Sequence, residues 1–190
     1  MKPKDDAKLQ AIARAAFTLV EQTGLSGLTM PAIAREAGVA TGTLYVYYAS
    51  KDELLSALYE QAKTATAARL MQGDDPGRPF RQRFERMWLN LLRNRLDHAA
   101  EVVFMDQFVN SPWYGEASRD LSTRLFRDWM ALIESAKTQL ILKNLPTPLL
   151  VSSFVGSVRE TALLLRNGGL KDTPAQLALA FGVCWDGIKA

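Results

Sequence analysis

Between Leu28 and Ser50 the chain reads "LTMPAIAREAGVATGTLYVYYAS", with room for two helices of about two turns each and for little else. Thr29 can cap the first, and Pro31 stands in its first turn, where a missing N–H costs no hydrogen bond. Ile33, Ala34 and Ala37 give this helix a buried side before Gly38 ends it. A turn of about three residues leads to the second helix, near 41–47. Leu44 points back into a three-helix core, while Thr41, Thr43, Tyr45 and Tyr47 reach outward on helical spacing. Tyr48, next to Ala49 and the following helix, falls to the core. Ala40, just ahead of the second helix, is a poor cap.

The same helical period runs through the rest of the chain. Leu9, Ile12, Ala13, Ala16, Phe17 and Val20 stripe a helix over about 6–23, closed by Gly24. Ser50 and Glu53 form a capping box for a helix reaching about residue 71. After the turn "GDDPGRP" come helices to about 96 and over 100–109. A long helix is expected over about 116–142, striped by Leu125, Trp129, Leu132, Ile133, Ala136 and Leu140. The helix at 148–167 is apolar nearly all round and must be covered on more than one side. Thr173 and Gln176 box the start of the last, 174–188. No strand pattern or repeat emerges. The fold class is all-α, with an N-terminal three-helix domain at 1–49 and a helical bundle at 50–190.

Of the 190 residues 48% are apolar and 23% charged, as in an ordinary globular protein. Cys184, the single cysteine, excludes an internal disulfide framework. The charged N-terminus lacks a secretory signal's apolar run, and "LLVSSFVGSV" at 149–158 is too short to span a bilayer. A cytoplasmic protein without a membrane segment is expected. Net charge is +3, and residues 1–51 set Lys2, Lys4, Lys8, Arg14, Arg35 and Lys51 against Asp5, Asp6, Glu21 and Glu36. That balance permits phosphate contact.

Two short helices around a glycine-bearing turn have the layout of a helix-turn-helix, whose second helix enters the major groove. Without a side chain, Gly42 lets that helix press against a phosphate or base edge. Threonine and tyrosine hydroxyls suit phosphate oxygens. Residues 9–55, carrying "IA…AGV…GTLY.Y…SK..L", resemble the DNA-binding domain of the tetracycline-repressor (TetR) family of bacterial regulators. The resemblance implies a homodimeric regulator of transcription that binds double-stranded operator DNA and is released by a small-molecule inducer. On it, Thr41, Gly42, Thr43 and Tyr45 match recognition-helix contacts. Tyr47 and Thr29 match phosphate contacts, and Lys51 matches a basic residue that grips the backbone at the start of helix four. Ala40 departs from the serine or other polar residue often found there.

No Ser/His/Asp set, phosphate loop or carboxylate pair can be assembled, and His98 is the sole histidine, so neither catalysis nor a metal or other cofactor is expected. The arginines crowding 78–95 belong mostly to a solvated face. Arg95 is the exception, falling on the apolar side of its helix with Trp88. With Phe104, Met105, Phe108, Trp113 and Trp129 these residues are the candidate ligand pocket; the alternative is plain core, with Arg95 capping helix carbonyls. Cys184 sits on an apolar stripe and is expected to be inert. Helices 148–167 and 174–188 are the expected homodimer interface. A helix-turn-helix module with no small-molecule inducer is the alternative function.

Overall fold

A computed structural model describes the backbone of residues 3–190 and the side chains of residues 6–190. Lys2, Lys4 and Asp5, counted in the N-terminal charge, lie outside the described side chains. Ten helices run in order among the described residues. They are α1 (Pro3–Gly27), α2 (Met30–Glu36), α3 (Thr41–Tyr47), α4 (Lys51–Leu70), α5 (Phe80–Asp97), α6 (Ala99–Val109), α7 (Glu116–Leu125), α8 (Arg127–Thr138), α9 (Thr147–Arg166) and α10 (Pro174–Ile188). The one pairing of extended backbone among the described residues is an isolated bridge between Leu142 and Lys189. Gly24 has φ 76 inside α1, so the regular helix stops there, as a glycine in the left-handed region allows.

The chain divides into two compact units, one of residues 1–65 with 98–123, the other of 66–97 with 124–190. The first core holds Ile12, Phe17, Ile33 and Leu44, and also Leu58 and Tyr59 from α4 and Val102, Phe104, Met105 and Phe108 from α6. Phe17 and Phe104 meet at 5.3 Å between ring centroids, and Tyr59 stacks on Phe108 at 4.6 Å. Helices α1 to α3 alone are too small to bury enough apolar surface, and α4 and α6 supply the rest.

The second core gathers Leu70, Phe84, Trp88, Trp129, Ile133, Leu150, Phe154, Val158, Phe181 and Trp185. Trp88 is buried within it and its indole N–H donates to Ser157 Oγ at 2.8 Å. Cys184 is buried there too, and burial pushes its thiol pKa up, which keeps it the weak nucleophile expected.

One expectation needs correction. The helix expected at 116–142 is two helices. Phe126 leaves helical geometry (φ −102, ψ 10), and α8 ends at Thr138, with Leu140 left-handed at φ 56 and largely exposed. Leu121 packs on the first core and Phe126 on the second, so the break falls where the chain passes from one core to the other. The arginines of α5 do lie mostly on a solvated face, with Arg81, Arg86 and Arg93 exposed, and Arg83 departs from it. Arg83 is largely buried, and its Nε and Nη2 donate to the two carboxylate oxygens of Asp74 at 2.8 and 2.7 Å. Arg93 makes a similar forked pair with Asp172, and Arg81 lies 5.7 Å from the Phe181 ring.

The hydrogen bonds from Arg83 hold Asp74 below the usual carboxylate range. A depressed folded pKa stabilises the fold above the unfolded value, about 4, and that contribution disappears as pH falls through the folded value. Asp74→Asn is therefore expected to cost roughly 1.5–3 kcal/mol at pH 7. Its urea midpoint should then converge on that of the unsubstituted protein as pH drops toward 3. Parallel midpoint curves over the whole range would exclude the pair as a source of acid sensitivity.

Candidate nucleic-acid interface

Helix α2 begins as the sequence predicts, with Thr29 Oγ1 accepting from the Ala32 N–H at 3.3 Å. Thr29 is exposed, and its hydroxyl proton is left to donate outward. Gly38 takes φ 68 at the turn, and Val39 N–H closes back on the Ala34 carbonyl at 2.9 Å. Helix α3 then starts at Thr41 with no side-chain hydrogen bond from Ala40. Its single buried side chain, among the described residues, is Leu44.

An α-helix turns about 100° per residue. Gly42 and Val46 stand two residues before and after Leu44, so each lies about 200° round the helix from it. They form the outermost strip of α3. A Cβ placed on Gly42 would meet nothing within 4 Å among the described residues. Val46 is 82% exposed and Tyr45 50% exposed. Thr41 and Thr43 flank the strip half-buried. Tyr47 is half-buried as well and packs against the first core alongside Tyr48. Tyr48 is thus where its position beside Ala49 put it, and burial pushes its hydroxyl pKa up, with the nearby Glu53 adding to the effect.

Helix α4 opens on the expected box, shifted by one donor. Ser50 Oγ accepts from the Glu53 N–H at 3.1 Å, while the Glu53 carboxylate accepts from the Ala49 N–H at 2.7 Å. Lys51 follows. Its Nζ donates to the Leu25 carbonyl at 3.4 Å and lies 5.1 Å from the Trp113 ring centroid. The Trp113 indole N–H donates to Asp52 Oδ1 at 2.7 Å. The loop before α7 therefore clasps the start of α4, and Lys51 is pre-positioned with donors still to offer. Nearby, Gln107 Oε1 accepts from the Leu25 N–H at 2.7 Å and ties α6 to the corner between α1 and α2.

The seven candidate ligand residues do not share one cluster. Trp88 and Trp129 lie in the second core. Phe104, Met105 and Phe108 lie in the first, with Trp113 at its edge. Arg95, half-buried at the end of α5, offers its carbonyl to Arg166 Nη2 at 2.8 Å. Trp129 stands apart, because its buried indole N–H has no acceptor among the described residues.

Residues 12–58 match the family described as bacterial regulatory proteins, tetR family. Residues 79–189, more than half the chain, match a tetracyclin repressor-like C-terminal domain. The chain belongs to the TetR family. That family comprises DNA-binding helix-turn-helix regulators of transcription. An uncharacterized HTH-type transcriptional regulator of Haemophilus influenzae is 35% identical over 112 residues, 59% of this chain and 60% of that protein. The regulator YvaF of Bacillus subtilis is 28% identical over 154 residues, 76% of this chain and 75% of that one. The chain thus spans about three fifths of the first relative's length and three quarters of the second's. A solved TetR-family regulator from Marinobacter aquaeolei superposes with TM-score 0.93 at 24% identity, covering 100% of this chain and 99% of that one.

Val46, exposed on the outer strip of α3 in this TetR-family chain, is not among the contact residues that the sequence implies, since valine offers no hydrogen bond to a phosphate or base edge. Its place two residues after Leu44 is the signal that sets it on the outer face. The uncapped start of α3 supports a prediction of its own. Ala40→Ser supplies the missing acceptor and is expected to raise stability by about 1 kcal/mol. Urea denaturation should show a higher midpoint at unchanged slope; an unmoved midpoint would mean that packing already satisfies the first turn.

Proposed function

We propose that this chain is a cytoplasmic homodimeric repressor that places one α3 helix in each half-site of an operator and leaves it when a small molecule binds. The observation that carries the reading is α3 itself, seven residues anchored by Leu44 with the opposite face bare. On this reading Thr29, Thr41, Thr43 and Tyr45 supply hydroxyls, Gly42 lets the backbone approach, and Lys51 and Tyr47 address phosphates.

The dimer reading rests on α9 and α10. By length and composition alone α9 is apolar enough to cross a bilayer, contrary to the expectation for 149–158. Leu150, Phe154, Val158 and Ala162 bury one side of α9 in the second core. The other side carries Leu149, Gly156 and Leu163 at seven-residue spacing, the seam of a helix packed on a partner helix. Ser152, Ser153, Arg159 and Glu160 flank that seam, which suits a protein partner better than lipid. On α10, Leu179 and Val183 are 72% and 79% exposed. Gly156 and Gly182 have open space where a Cβ would stand, so another backbone can come close.

Support for an inducer comes from Trp129, whose unmatched N–H would take a ligand acceptor such as a carbonyl. Helix α4, with residues in both units, is the element through which such a ligand would act on the DNA-binding end. Gel shift of the dimer on DNA flanking its own gene, with tryptophan fluorescence during metabolite titration, tests the whole. Tight binding that every titrated metabolite leaves unchanged favours a module without inducer. Absence of any duplex binding at low salt would remove the repressor reading.

A further inference from the structure

Hydroxyls and a bare glycine on α3, with Lys51 at the start of α4, account for the polar chemistry of this end, and none of them explains Val46. Among the described residues it is the most exposed large apolar side chain, at 82%. A lone exposed valine elsewhere would need no explanation. This one lies at the centre of the face opposite Leu44, one turn beyond Gly42, so its two methyls project past a stretch of backbone with no side chain. In a helix-turn-helix the second helix lies in the major groove, so its face turned away from the protein core is the one that meets base edges.

The groove edges of guanine, adenine and cytosine present hydrogen-bond donors and acceptors, which a valine would leave unpaired at a cost. One base carries an apolar group there, the C5 methyl of thymine. Resting on the TetR-family reading of α3 as the recognition helix, we propose that Val46 is a specificity residue that reads thymine. Its methyls pack on the C5 methyl of one thymine in each half-site. Tyr45 on one flank and Thr43 on the other hold the register through hydroxyl contacts, and Gly42 admits the approach.

Deoxyuridine differs from thymidine by that methyl alone, so it isolates the contact. The full-length protein is used to select its preferred duplex from a random pool, and each thymine of the selected site is then replaced singly by deoxyuridine. At one position per half-site the unsubstituted protein is expected to lose about three- to fivefold in affinity. Val46→Ala is expected to bind the thymine duplex with a similar loss and to be indifferent to uracil at that position. Val46→Thr, which keeps one methyl and the branched shape, should retain part of the discrimination. Because Val46 lies outside both cores, unchanged circular dichroism and thermal midpoints are expected for both variants.

A flat uracil series, or a Val46→Ala protein as sensitive to uracil as its parent, overturns the assignment while leaving DNA binding intact. Failure to select any duplex at low salt would overturn the recognition-helix reading beneath it. The two failures are therefore distinguishable.

Discussion

Val183→Asp on α10 is expected to yield a folded monomer that no longer holds operator DNA. Val183 and Leu179 lie one turn apart on the side of α10 away from Phe181, Cys184 and Trp185, and in the single chain both are mostly exposed. Folding of the subunit therefore does not need them. In a twofold interface each residue is buried twice. Burying a valine or leucine side chain contributes about 1.5–3 kcal/mol, and an unpaired carboxylate taken out of water costs several kcal/mol more. A shift of at least about 4 kcal/mol raises the dimer dissociation constant by roughly a thousandfold. Two α3 helices acting together owe their affinity to being linked, so operator binding should fall by about 10²–10⁴ with no change in α3. Sedimentation at micromolar concentration reads the first effect and gel shift the second. If the variant sediments as a dimer, the interface lies elsewhere, and the apolar face of α9 and α10 needs another occupant.

How far the sequence reveals such features depends on whether their cause is local. The starts of α2, α4 and α10 follow from Thr29, Ser50 with Glu53, and Thr173, whose hydrogen bonds close within a few residues. Gly24 and Gly38 mark breaks in helical geometry because a positive φ favours glycine at each. The break at Phe126 has no such mark. Neither glycine nor proline stands there, and the apolar stripe keeps its phase across it, so periodicity alone joins α7 to α8. Leu140 continued that stripe on paper yet stands left-handed and exposed beyond the helix end.

The site divides in the same way. The outward flank of α3 follows from a seven-residue helix with one leucine to bury. The clasp of Trp113 on Asp52 joins residues 61 positions apart and leaves no periodic trace. The aromatic residues of α5, α6 and α8 each looked pocket-like along their own helix. Which core each enters is decided by tertiary packing, and Trp88 and Phe104 enter different ones.

Leu44 is fully buried, and a leucine-to-alanine change at such a site costs about 2–5 kcal/mol. Seven residues are too few to stay helical without tertiary contacts, and Ala40 provides no cap. Tyr47 and Tyr48 are only half-buried, so they cannot replace what Leu44 contributes. The loss should therefore appear first as undocking of α3. Leu44→Ala is expected to lower operator affinity by more than a hundredfold while the other helices keep most of the far-ultraviolet signal. Amide exchange should speed up over 41–47 well before the second unit is affected. Adding Ala40→Ser should recover about fivefold in affinity, because a cap worth about 1 kcal/mol favours the docked helix. Persistent amide protection across α3 in Leu44→Ala would mean that the tyrosines hold the helix, and the bare strip of Gly42 and Val46 would then owe its orientation to them rather than to Leu44.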